Sequence, residues 1–181
     1  MQPEDKEAMQ ISRRTVIASA TLVPVAALTA AAQAPKMALS AAERQTLEAF
    51  IDRLVPKDEL GPGAVECGAA NYIDLSLADA LAGEKGNFVD GLAAVDAFAR
   101  KDHGGAFTGL TAEKKDEVLT AFEAGQVSGF ANARAFFARV RRLTLEGMFS
   151  DPYYGGNKNF AGWDLIRYPG ARLAVAPKIR R

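Results

Sequence analysis

Two side chains of this 181-residue chain could serve as nucleophile or proton carrier near neutral pH, and each type occurs once: Cys67 and His103. Cys67 stands between Glu66 and Gly68 near an expected helix start, where a thiol pKa can be lowered and the sulfur made reactive. The other reading of a lone cysteine is a small, buried apolar side chain. His103 precedes Gly104-Gly105 at an expected helix end, suited either to general base work or to capping the last carbonyls, where the macrodipole favours a cation. The acids Glu113, Asp116 and Glu117 interleave with Lys114 and Lys115, the pattern of a solvated helix face. The chain has no G-x-G-x-x-G after a strand, no C-x-x-C-H for haem and no metal-ligand cluster. The sequence therefore nominates no catalytic, cofactor-binding or metal-binding residue.

Near the N-terminus the chemistry is one of addressing. Ser12-Arg13-Arg14 is followed by Thr15-Val16-Ile17, and no charge then appears until Lys36. A polar start, paired arginines and a mild Ala/Val/Thr/Leu run make a secretory leader. The form S-R-R-x-hydrophobic-hydrophobic is that of the twin-arginine signal, which exports proteins already folded, so Arg13 and Arg14 are the candidate export residues. Ala30-Ala31-Ala32 and Ala32-Gln33-Ala34 both have the small-x-small form of a cleavage site. Cleavage after Ala32 is preferred, because Pro35 fits poorly in the extended backbone a peptidase grips. An uncleaved leader is the other possibility, since Thr15 to Pro35 is long enough to span a bilayer, although Pro24 and its many small residues make it a weak anchor. The chain thus divides into a signal segment, 1–34, and a domain, 35–181.

Over the whole chain 22 Lys and Arg balance 22 Asp and Glu. That balance argues against binding nucleic acid or an anionic membrane surface through bulk charge. With 49% hydrophobic and 24% charged residues the chain can bury a core. From Ala38 on, the periodicity is helical. Ser40 with Glu43 forms a capping box for a helix over about 41–55 that carries Leu47, Phe50, Ile51 and Leu54 and stops at Pro56. A second stretch near 64–82 carries Tyr72, Ile73, Leu77 and Leu81. A third, capped by Asn87, carries Phe88, Leu92, Val95 and Phe98 and ends at His103. Thr111 caps a fourth that Gly125 closes, and Ser128 opens a fifth running to about Phe149. No window alternates over strand length, so the expected class is all-α, one domain of about five helices.

The pattern changes at Asp151. From there to Gly170 lie the only Trp, three of the four Tyr and a Gly155-Gly156 turn, and an ordered, non-helical loop is expected. Glycine allows close backbone approach and aromatic rings offer area at low entropy cost, so the loop either clasps its own core or seats against a partner. Both readings stay open, some rings closing the core while Tyr153, Tyr154 and Trp163 in part meet the partner.

These residues carry a resemblance. Gly147-Met148-Phe149-Ser150-Asp151-Pro152-Tyr153-Tyr154-Gly155-Gly156-Asn157, continued by Gly162-Trp163 and Tyr168-Pro169-Gly170, resembles the signature of the gluconate 2-dehydrogenase subunit 3 family. Gly61-Pro62-Gly63-Ala64, Tyr72-Ile73-Asp74 and the twin-arginine leader are similar to that family as well. The resemblance implies the small, or gamma, subunit of a periplasmic sugar or sugar-acid dehydrogenase complex. It implies a GMC-type flavoprotein partner that holds FAD and performs the oxidation, with a cytochrome c, carrying haem c, as the further partner that takes electrons onward. Tyr153, Tyr154, Gly155, Gly156, Asn157 and Trp163 are then the candidate interface residues. Membrane association would come only through the complex or an uncleaved leader. The competing expectation is a stand-alone periplasmic helical enzyme or small-ligand carrier.

Overall fold

A computed structural model describes residues 36–170, and among them six α-helices follow one another, joined by turns and short 3-10 segments, with no β-strand. The class is all-α, as expected. The first helix, α1 (Ala41–Leu54), opens on the capping box: the Glu43 N–H donates to Ser40 Oγ at 3.3 Å, and the Ser40 N–H to the Glu43 carboxylate at 2.7 Å. The others are α2 (Ala69–Ala78), α3 (Lys85–His103), α4 (Ala112–Ala124), α5 (Ala133–Phe149) and a short α6 (Ala161–Leu165). Thr111 caps α4, and left-handed Gly104 and Gly125 close α3 and α4. Arg13, Arg14 and both cleavage candidates lie outside the described residues.

Three helix starts differ from expectation for local reasons. Gly68, at φ 77°, interrupts the second stretch, so residues 64–68 form a separate turn and α2 begins only at Ala69. A 3-10 turn at Ala82–Glu84 runs straight into α3, which places Asn87 inside the helix rather than at its cap. Ser128 belongs to a turn continued by Gly129 at φ 86°, and its hydroxyl accepts from Lys101 Nζ at 2.9 Å instead of capping α5. The segment after Asp151 is not the non-helical loop expected. It holds 3-10 turns at Pro152–Tyr154 and Lys158–Phe160 and then α6.

Phe50 of α1 centres the core, with ring centroids 6.3 Å from Phe107, 6.0 Å from Phe136 and 5.9 Å from Phe137. Around it pack Leu92 and Val95 of α3, Val118 and Phe122 of α4, and Val140 and Leu143 of α5, all buried. The α2–α5 pair is the most extensive helix contact, and Gly147 sets its spacing: a Cβ there would stand 2.9 Å from Ala69 Cα. Within this apolar setting Asp74 of α2 is a buried carboxylate. It accepts from the Ala38 and Leu39 N–H groups at 2.6 and 2.9 Å and pairs with Arg44 Nη1 at 3.3 Å. A buried charge persists only when paired and hydrogen-bonded, so Asp74 fixes the point at which the chain enters the domain.

Candidate partner-binding surface

The aromatic segment is built on the C-terminal end of α5. Asp151 Oδ1 accepts the Tyr153 N–H at 2.9 Å and so shapes the first 3-10 turn, which Gly155 ends at φ 88°. Its hub is Asn157, fully buried and left-handed at φ 43°. The Asn157 N–H donates to Gly147 O at 2.7 Å and its Nδ2 to Ser150 O at 2.9 Å; its Oδ1 accepts the N–H groups of Gly162 at 2.9 Å and Trp163 at 3.3 Å. One side chain thus ties the end of α5 to the start of α6. Asparagine suits the place because it tolerates left-handed backbone and carries both donor and acceptor.

Glycines bring the backbones close enough for those bonds. A Cβ on Gly156 would collide with the Gly147 carbonyl, and one on Gly162 with the Met148 carbonyl. Two further bonds stitch the segment to α2 and the turn before it: Asn71 Nδ2 to Gly155 O at 2.7 Å, and Lys158 N–H to Cys67 O at 2.9 Å.

Trp163 closes this clasp, its indole N–H donating to Phe149 O at 2.8 Å. Its ring lies edge-on to Tyr168 at 5.0 Å and tilted against Phe160 at 5.4 Å. Outward from the clasp, among exposed Lys158, Asn159, Asp164 and Arg167, the segment presents apolar rings: Tyr153 is 88% exposed, Tyr154 60% and Phe160 52%. Leu165, Ile166 and Tyr168 are exposed too, as is Leu60, whose neighbour Gly61 lies against the Leu165 side chain.

The six residues nominated for an interface therefore separate. Tyr153 and Tyr154 stand in solvent, their rings edge-to-face at 5.4 Å, while Gly155 and Trp163 are half-buried. Gly156 and Asn157 do not reach the surface of the segment, because both are buried and serve the clasp. Phe160, Leu165, Ile166, Tyr168 and Leu60 were not singled out by the sequence. Their only signal there is apolar side chains among turn residues with no periodicity to bury them.

The family model for gluconate 2-dehydrogenase subunit 3 matches residues 41–170, from the first residue of α1 through the end of the aromatic segment. The chain belongs to the gluconate 2-dehydrogenase subunit 3 family. Neither the curated proteins nor the solved structures include a match to it. Both the helical core and the exposed aromatic surface fall inside the subunit 3 match, and a subunit has partner subunits.

In this family setting the residues first considered for chemistry hold structure. Cys67 is buried, and burial, aided by the negative Glu66, pushes its thiol pKa up rather than down, against a reactive thiolate. His103 Nδ1 lies 3.6 Å from the Glu117 carboxylate, and its ring meets Phe98 edge-on at 6.4 Å, joining the end of α3 to α4. Asp116 is more than a solvated acid. It receives Arg53 Nε and Nη2 at 2.7 and 2.8 Å, linking α4 to α1, and this guanidinium holds its carboxyl below the usual range. Among the described residues no group of acids, His and Cys could hold a metal ion, and no helix is long and apolar enough to cross a membrane.

Proposed function

We propose that this chain is the non-catalytic small subunit of an FAD-dependent, periplasmic sugar or sugar-acid dehydrogenase complex. Oxidation of a CH–OH group takes place on the FAD of a GMC-type flavoprotein partner, and a cytochrome c with haem c passes the electrons onward. This chain contributes the twin-arginine address at Arg13 and Arg14, which exports the folded pair, and a surface that holds and stabilises the flavoprotein.

The observation that carries the reading is the exposed aromatic segment within a family whose members are subunits. An aromatic side chain offers about 150–250 Å². Tyr153, Tyr154, Phe160 and Tyr168, each about half or more exposed, together with Leu60 and Ile166, offer roughly 600–900 Å². That is of the order of one partner's share of a standard interface, about 800 Å².

Co-expression of the tagged chain with an FAD-containing dehydrogenase subunit that lacks its own export signal tests this. A flavin-bearing complex that oxidises a sugar with an artificial acceptor is expected, and the isolated chain should be colourless and inert. Sugar oxidation by the chain alone would overturn the proposal.

A further inference from the structure

The turn that carries Phe160 combines backbone strain with an exposed ring. Asn157, Asn159 and Phe160 all lie in the left-handed region, at φ 43°, 56° and 61°. Asparagine accepts that conformation readily, whereas for a bulky side chain it is a genuine outlier. The geometry at Phe160 is enforced from both sides: its N–H donates to Asn157 O at 2.9 Å, and the next residues are fixed by Asn157 Oδ1 at the start of α6. Such strain persists only where the surrounding structure over-determines it. Here the ring is 52% exposed. It rests on Trp163, which is itself held by its bond to Phe149 O and by Tyr168.

We infer that Phe160 is the anchor through which this surface binds the flavoprotein, its ring held outward on the Trp163–Tyr168 platform by a backbone conformation that weakens the free chain. The inference rests on the accessory-subunit reading. A ring presented on a fixed platform loses little freedom on binding, which is how preorganisation raises affinity, and aromatic anchors in desolvated pockets dominate interface energetics. Backbone strain clusters at functional sites, and an outlier of this kind supports a functional reading of the residue that carries it. The exposed area is of the size one protein partner covers, and the apolar side chains of Phe160, Tyr168, Leu165 and Leu60 fit an apolar pocket on it.

The test compares full-length wild type with Phe160→Gly, Phe160→Tyr and Lys158→Ala, measuring affinity for the FAD-loaded flavoprotein and the melting temperature of the free chain. Glycine relieves the left-handed strain and removes the ring. Phe160→Gly should therefore lose about 30- to 1,000-fold in affinity while its melting temperature stays equal or rises. Phe160→Tyr, which keeps the ring, should stay within about tenfold of wild type, and Lys158→Ala, exposed on the same turn, should bind as wild type does. Unchanged affinity in Phe160→Gly, or a melting temperature lower by more than a few degrees, would overturn the anchor while leaving the accessory-subunit reading intact. Failure of wild type to bind the flavoprotein would remove both. Self-association of wild type that Phe160→Gly abolishes would assign the surface to a second copy of this chain and contradict the inference.

Discussion

Replacing Asn157 by Ala probes the clasp at its hub. The substitution removes the Nδ2 donor to Ser150 O and the Oδ1 acceptor for the Gly162 and Trp163 N–H groups, all within a fully buried side chain. A buried polar group left without a partner costs about 1–3 kcal/mol. Gly162 is buried and Trp163 half-buried, so the second orphan N–H can recover part of its loss by reaching water. Alanine in left-handed backbone adds about 1 kcal/mol relative to asparagine. Together these give about 3–4 kcal/mol, against a total stability of roughly 5–15 kcal/mol for a domain. Because the lost bonds all join the end of α5 to α6, the loss should appear first as local opening of residues 150–168. Trp163 is the only tryptophan and lies in that region, so its emission reports the clasp while far-ultraviolet circular dichroism reports the helices. Asn157→Ala should shift Trp163 emission to the red and raise hydrogen exchange across the segment at denaturant concentrations where helical signal is intact. The global midpoint should also fall, by roughly 6–12 °C on heating. Wild-type emission together with a stability change under about 0.5 kcal/mol would refute the assignment of Asn157 as the hub.

Other perturbations reach the remaining contacts. Gly147→Ala must push α2 off α5, since its Cβ would meet Ala69 Cα at 2.9 Å, and should cost about 1–3 kcal/mol in chemical denaturation. The Asp116 carboxyl is held low by Arg53, so its contribution is present above the unfolded value of about 3.9 and is lost as pH falls through the lower folded value. The pair is partly exposed, so Asp116→Asn should cost at most about 1 kcal/mol at neutral pH, and the difference from wild type should shrink as pH falls through the folded value. Cys67 should resist alkylation at pH 8 in the native chain and react once unfolded, because burial raises its thiol pKa and blocks access.

The elements readable from sequence are those whose ends are written in one or two residues. Ser40 with Glu43, Thr111, Gly104 and Gly125 mark helix ends by local hydrogen bonding or left-handed backbone, and each acts as its type predicts. Asn87 and Ser128 misled because a cap depends on what precedes it: a 3-10 turn flowing into α3, and a turn whose hydroxyl found Lys101. In the aromatic segment, composition located the surface but not its orientation. Tyr153 and Asn157 belong to the same motif, yet one stands in solvent and the other is fully buried, because only the three-dimensional path of the chain sends Asn157 under α6. In the sequence Asp74 stands out only as part of Tyr72-Ile73-Asp74. Its role became visible when the fold brought Ala38 and Leu39 to it from far along the chain.

The central claim, that this chain exports and holds a flavoprotein, is tested most directly by fractionating cells that co-express the flavoprotein with the double variant Arg13→Lys, Arg14→Lys. Lysine keeps the charge but not the planar guanidinium fork, so receptor recognition is separated from simple positive charge. Both proteins should remain together in the cytoplasm, with the flavoprotein sequence untouched and periplasmic dehydrogenase activity lost. Normal periplasmic activity in the double variant would contradict the account.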